Sequence, residues 1–432
     1  MIHTYEEALE WIHGRLKLGI KPGLKRMEWM MEKLDHPERR LKAVHVGGTN
    51  GKGSTVEMIR SILQEAGYHV GTFTSPYIEQ FNERISVNGK PISNEEIVQL
   101  TNVIKPLAEE LENTEWGGPS EFEVITAMAI YYFAKIRPVP LVIFEVGMGG
   151  RFDSTNVIIP ILTVITNIGM DHMEYLGDTV EKIAFEKAGI IKNGIPVITA
   201  VHQEDALAVI QNKSKTGRSS LYRLGKEFSV EHVASVPEGE KINLSSVLGS
   251  WDHLIVGLKG VHQVENAALA LMAASYLKTF FSFLIEEEHI RDGLKNAFWP
   301  GRMEVLSEKP LVMMDGAHNP DGIKALTETI RQRYSEYKLT ILFAALKTKK
   351  IDDMVRSLEE IADELVFATF DFPKAAGQEE FSGCNGTYIG EGWPSFFKEK
   401  TASLQENEML MITGSLYFLS EVKKAFQKKQ IK

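Results

Sequence analysis

Apolar residues along this chain fall into short unbroken runs, separated by longer stretches in which they recur at helical spacing. Residues 41–46, 69–74, 141–144 and 161–166 are such runs in the first part, and 311–314, 339–343, 365–369 and 409–412 in the last. Runs of this length bounded by turn residues read as strands buried on both faces, and their alternation with helical stretches predicts α/β architecture with largely parallel sheets. A helix is predicted over 56–66, with Ile59, Ile62, Leu63 and Ala66 on one face and Gly67 as its stop. Ser120 and Glu123 have capping-box spacing and open a helix through residue 134. Asp178, three residues before Glu181, is the expected cap of a helix that runs to 187–189, and an alanine-rich helix follows 261–266 as far as 277. Residues 203–257 keep neither period and read as an irregular or inserted region.

The sequence Phe298-Trp299-Pro300-Gly301-Arg302 breaks the pattern, and alternation restarts after it. This predicts a hinge between two domains, residues 1–297 and 298–432, the second a smaller doubly wound unit.

One turn carries a specific chemistry. The run from Val46 through Gly47, Gly48, Thr49, Asn50, Gly51, Lys52, Gly53, Ser54 and Thr55 lies between a strand and a helix, the layout of a phosphate-binding loop. It departs from G-x-x-x-x-G-K-[ST], since Val46 stands at the first position and Gly53 follows the lysine. The run 141–144 delivers Glu145 at its carboxyl end, and 161–166 delivers Asn167, Asp171 and His172. Parallel sheets bind ligands beyond the carboxyl ends of their strands, so these groups are expected to converge with the loop. A carboxylate there suits a magnesium–nucleotide site, while a lone histidine is more often structural. By position alone Lys187 is a solvated lysine at a helix end.

Composition narrows the class. The chain has 432 residues, 44% hydrophobic and 25% charged, with a formal net charge of −10. A broad nucleic-acid surface is not expected, although a local basic pocket for a small anion is compatible with this balance. A single cysteine, Cys384, excludes an internal disulfide framework and fits a reducing compartment. Glu6, Glu7 and Glu10 mark a start unlike a secretory signal, and the longest apolar stretch, 127–146, is broken by Lys135, Arg137, Pro138 and Pro140. The expectation is a cytoplasmic protein with no membrane partner.

The ordered motifs HVGGTNGKGST, FTSPYIEQFNERISVNG, FEVGMGGRFDSTN, TNIGMDHMEYLGDT, EKAGIIK, GVHQVENAALA, WPGRME, DGAHNPDG and ITGSLYF resemble the folylpolyglutamate synthases of the Mur ligase superfamily, from the loop to Ser415. The resemblance implies an N-terminal P-loop-type ATP-binding domain and a smaller C-terminal Rossmann-like domain. It implies a monomeric ATP-dependent ligase that adds L-glutamate to reduced folates through an acyl phosphate, with ATP and two Mg2+ ions. Thr49, Asn50, Gly51, Lys52, Gly53, Ser54 and Thr55 then hold phosphates, and Asn266, Arg302 and Asp315 complete the nucleotide site. Ser75, Glu145 and His172 correspond to magnesium ligands, and Lys187 to a lysine that the superfamily carbamylates. Lys52, Lys187 and His318 are the implied catalytic group. Tyr77, Arg84 and Asp153 fall on the folate side, with Arg84 alternatively pairing with Glu83, and Ser415 on the glutamate side. Tyr77 stands where bifunctional relatives, which also make dihydrofolate, often have histidine, so the polyglutamylating activity alone is favoured over the bifunctional one. A non-catalytic nucleotide switch is the alternative of another class.

Overall fold

The computed structural model describes residues 1–19 and 21–430. Three sheets organise it. The first contains β1 (Ala43–Gly47), β2 (Val70–Phe73), β3 (Ile85–Val87), β4 (Lys90–Pro91), β5 (Leu141–Glu145), β6 (Leu162–Ile165), β7 (Val197–Thr199) and β8 (Leu221–Arg223), in the order β4-β3-β2-β5-β1-β6-β7-β8. Pairing is parallel from β2 to β8 and antiparallel only at the β2–β3–β4 edge. Strand β1 therefore lies between β5 and β6, with Val46 opposite Glu145 and Gly47 opposite Ile165. This register brings the glycine-rich turn, Glu145 and the Asn167–His172 segment to one edge of the sheet, as the pattern of apolar runs predicts.

The helix after the turn starts earlier than expected, at Lys52, and runs to Glu65. Gly51 caps it at φ 81°, a left-handed conformation that glycine adopts without the Cβ clash of other residues. Residues 53–63 of this helix are buried all round. One side faces the sheet; others meet the helices His262–Phe281 and Glu287–Asn296, and Gly293 comes so close that a Cβ there would lie 2.4 Å from the Ile62 Cα. The Glu57 carboxylate inside this packing is held by Arg60.

Region 203–257 is more regular than its sequence suggests. It forms the helix Glu204–Thr216, the edge strand β8 and a second, antiparallel sheet of β9 (Phe228–Val236), β10 (Gly239–Ser246) and β11 (Gly249–Val256). Phe228, Ile242, Leu244, Leu254 and Val256 seal that sheet against the helix His262–Phe281. The predicted cap at Asp178 is corrected: Thr179 has the extended backbone, and its hydroxyl accepts from Lys182 N. Asp178 instead pairs with the Lys182 ammonium four residues on, which leaves its carboxylate outside the first turn.

The third sheet, β12 (Glu304–Glu308), β13 (Leu311–Asp315), β14 (Lys338–Phe343), β15 (Glu364–Ala368), β16 (Thr387–Gly390) and β17 (Glu408–Thr413), has the order β12-β13-β17-β14-β15-β16. It is parallel except at the β12–β13 edge, and apolar clusters cover both faces. Its helix Pro320–Arg333 is fastened to the first half at both ends. At one end its cap Asn319 donates to Asn50 Oδ1 (2.9 Å) and Asp171 Oδ2 (3.1 Å). At the other, Arg333 donates to Glu240 Oε1 (2.9 Å) and to the Gly239 carbonyl (3.1 Å). Glu240 is fully buried on β10 and also accepts from Gly260 N, Ser235 and His232, so its charge is matched by surrounding donors.

Candidate active site

The turn after β1 is held rigidly against β6. Thr49 N donates to Asn167 O (2.9 Å), Asn50 N to Asn167 Oδ1 (2.9 Å), and Thr166 Oγ1 to Asn50 O (2.6 Å). Glycine is required where neighbours close in: a Cβ on Gly48 (φ +142°) would lie 1.9 Å from Thr166 Oγ1, and one on Gly51 2.2 Å from Asn266 Oδ1. Gly53, the departure from the usual loop pattern, has its own reason. The Trp299 indole lies against it, and a Cβ would meet Nε1 at 2.8 Å. Gly53→Ser is therefore expected to displace the indole and lower kcat/KM at least tenfold; wild-type kinetics in that variant would show that the contact is dispensable.

Lys52 Nζ donates to the carbonyls of Gly48 (3.2 Å) and Thr49 (2.9 Å), and Lys187 Nζ donates to the same Gly48 carbonyl (2.8 Å). The solvated reading of Lys187 is overturned. It is 4% exposed, and burial, together with the neighbouring Lys52 charge, lowers its pKa to about 7. Burial also lowers the Lys52 pKa, while Glu145 and Asp171 oppose the shift. Glu145 is 4% exposed at the end of β5, and its Oε2 accepts from Ser75 N (3.1 Å). Burial raises its pKa against the pull of Lys52. His172, in left-handed backbone (φ 51°), is held down to about pKa 4 by desolvation of its ring and by Lys349, Lys52 and Lys187, against the pull of Asp171. It is therefore a neutral imidazole with a lone pair to offer.

Among the described residues no three His, Cys, Asp or Glu side chains gather as a metal cage. The donors present nevertheless fit magnesium, which takes few protein ligands and relies on phosphate oxygens and water. Glu145 presents a buried carboxylate, and among the described residues the Ser54 and Thr55 hydroxyl oxygens are buried without a partner.

The second half supplies a facing set. Arg302 Nη1 donates to Gly301 O (3.1 Å). Asp315 ties the turn beneath the site, accepting from Met303 N and Ala317 N (both 2.9 Å). His318 Nδ1 donates to Gly316 O (2.8 Å), which leaves Nε2 as an acceptor, and burial holds its pKa at about 4. Asn266 donates to Gln263 Oε1 (2.9 Å) beside Gly51. Ser415 is buried at the start of the last helix, Leu416–Gln430, its carbonyl accepting from Leu419 N.

On the substrate side, Arg84 does not pair with Glu83, because that carboxylate accepts the N–H groups of Ile78, Glu79 and Gln80. The Arg84 guanidinium stands 5.2 Å from the Tyr77 ring centroid, its Nε buried without a hydrogen-bond partner among the described residues. Asp153, expected on the folate side, shapes its own loop. It is buried, and its oxygens accept from Met148 N (2.9 Å), Thr155 N (3.0 Å) and Thr155 Oγ1 (2.5 Å). Sequence reasoning missed Asn319, Trp299 and Lys349. The last pairs with Asp171 at 2.6 Å, yet sits in a lysine-rich run that reads as solvated.

Loop, facing cations and fold define an ATP-dependent ligase of the Mur type. The Mur ligase middle domain matches residues 46–274, and the Mur ligase glutamate ligase domain matches residues 301–416. The chain is 48% identical over 430 residues to a dihydrofolate synthase/folylpolyglutamate synthase of Bacillus subtilis, covering 98% of this chain and 99% of that one. It is 34% identical to a folylpolyglutamate synthase of Lacticaseibacillus casei, with 97% and 98% covered. Among solved structures, the apo L. casei enzyme superposes with a TM-score of 0.88 at 32% identity, covering 98% of this chain and all of that one. A folylpolyglutamate synthase–AMPPCP–folate complex gives 0.86 at 33% identity, with 98% and 99% covered. The chain belongs to the folylpolyglutamate synthase family of Mur ligases.

Proposed function

We propose that this enzyme extends the glutamate tail of reduced folates. ATP phosphorylates the terminal side-chain carboxylate of the tail, and the amino group of L-glutamate displaces phosphate from the resulting acyl phosphate. Carboxylate activation is needed because the free anion repels an amine nucleophile. The observation that carries this reading is the convergence of two lysines, Lys52 and Lys187, on the Gly48 carbonyl, with Glu145 acting on Lys52 and Asn319 of the other half bonded to Asn50.

In this reading Thr49 to Thr55 cradle the phosphates, with backbone N–H groups and the Lys52 ammonium countering their charge. Asn266 and Asp315 orient the nucleoside, and Arg302 meets the phosphates from across the linker. Ser75, Glu145 and His172 would hold magnesium, which when bound neutralises charge on phosphate oxygens. The near-neutral Lys187 amine suits carbamylation: its nitrogen attacks CO2, loses a proton and becomes an anion able to serve a second ion. Neutral His318, with Nε2 free to accept, orients the incoming ammonium rather than acting as a strong base. Arg84, with no acidic partner among the described residues, meets a substrate carboxylate, with the Tyr77 ring alongside. Asp153 shapes the folate-side loop, and Ser415 lies on the glutamate side.

We further read the chain as a cytoplasmic monomer of two domains, 1–297 and 298–432. The third sheet begins at Glu304, just beyond the proposed boundary, and the single cysteine suits a reducing compartment. Sedimentation at micromolar concentration tests the oligomeric state.

The B. subtilis relative favours a second reading in which dihydropteroate is also a substrate. On the Tyr77 argument, dihydropteroate with ATP and glutamate should give at most about one hundredth of the rate with tetrahydrofolate. Comparable rates would establish the bifunctional enzyme. Failure to couple phosphate release to the gain of one glutamyl residue would leave only a nucleotide switch.

A further inference from the structure

The loop between β2 and β3 carries Ser75, Tyr77 and Arg84, yet its tip is held by the opposite half of the molecule. Glu83 gathers the N–H groups of Ile78, Glu79 and Gln80 and fixes the shape of the tip. Ile78 rests on Gly301 of the linker, where a Cβ would lie 2.8 Å from its Cδ1. Glu79 Oε1 meets Lys423 Nζ of the last helix at 2.7 Å. That ammonium is buried, and its second partner is Glu304 Oε1 on β12 at 2.6 Å. Glu304 Oε2 in turn accepts from Gly301 N at 2.8 Å. One lysine thus joins the substrate loop, the first strand after the linker and the linker itself.

The same polarity recurs elsewhere across the cleft. Asp171 meets Lys349 and Glu240 meets Arg333, so in all three pairs the first half supplies the acid and the second half the cation. Glu79 is the most exposed of these acids, with a side chain 41% exposed. It lies near the middle of the β2–β3 loop, whereas Glu240 sits on β10 and Asp171 is held at 11% side-chain exposure. An exposed acid on a pre-shaped tip, facing an ammonium already fixed by Glu304, is suited to make and break contact without disturbing either core.

We propose that Glu79 and Lys423 are positioning residues that set the substrate loop, and so folate affinity, according to how closely the two halves approach. This rests on the ligase reading above. Neither group touches the reacting atoms. They act through Ser75, whose N–H is bonded to Glu145, through Tyr77, two residues from Glu79, and through Arg84 at the β3 end of the same loop.

The test is steady-state ligation with the full-length enzyme, tetrahydrofolate, Mg–ATP and glutamate, at low and high salt. Glu79→Gln removes the charge but keeps the volume, and is expected to raise KM for folate roughly fivefold while kcat and KM for ATP stay within about twofold. Its KM for folate should also vary less with salt than that of the wild type, since one screened ion pair is no longer there to weaken while the contact of Arg84 with a substrate carboxylate remains. Lys423→Arg should retain wild-type folate KM, whereas Lys423→Met should reproduce the Glu79→Gln defect. An unchanged folate KM in Glu79→Gln, or a defect confined to ATP, overturns the proposal. Absence of glutamylated product from the wild-type enzyme would refute the ligase reading itself, a separate outcome from a wild-type-like variant.

Discussion

Lys187→Ala is expected to lower kcat by about a thousandfold, the loss seen when a preorganised charge beside a transferring group is removed. The argument is one of geometry and titration together. The Lys187 nitrogen is buried against the Gly48 carbonyl beside Lys52, and burial brings its pKa to about 7 instead of the usual lysine range. Above that value the amine is neutral and can react with CO2; below it the ammonium has no lone pair. Carbamate content and kcat should therefore fall as pH drops through about 7, and added bicarbonate should slow the fall. Small carboxylates such as formate should restore part of the activity of Lys187→Ala by supplying the missing anion. Full activity in the alanine variant, or a flat profile through that range, would remove Lys187 from the chemistry.

The second large effect is expected at Arg302. Its guanidinium is anchored to Gly301 O at the linker, and its charge acts on Lys52 and Glu145 of the first half, lowering the pKa of each. An arginine brought to a transferring phosphoryl group from another part of a structure is worth roughly 10³ or more in rate. Arg302→Ala should lower the single-turnover rate by about that factor, with nucleotide affinity changed far less. A variant whose single-turnover chemistry is unchanged would mean that Arg302 serves only the linker.

Much of this was legible in the amino-acid order because parallel strands announce themselves. The run 141–144 could be read as a strand that ends at Glu145, and strand ends are where ligands sit. Legibility failed where partners are distant. The Asn50–Asn319 contact spans 269 positions and the Lys349–Asp171 pair 178, so neither local period nor spacing points to them. It also failed where exposure erases the pattern: β9 is exposed over most of its length, and its alternation carries little apolar signal. Gly53 looked like a defect of the loop because its reason, Trp299, lies far downstream.

That indole, resting on the residue next to Lys52, also gives the molecule a built-in optical gauge. A tryptophan's emission follows its surroundings, and this one touches both the nucleotide loop and the linker. Nucleotide titrations of the wild-type enzyme, with Trp299→Phe as the subtraction, should therefore follow loop filling and linker movement in real time, without a label.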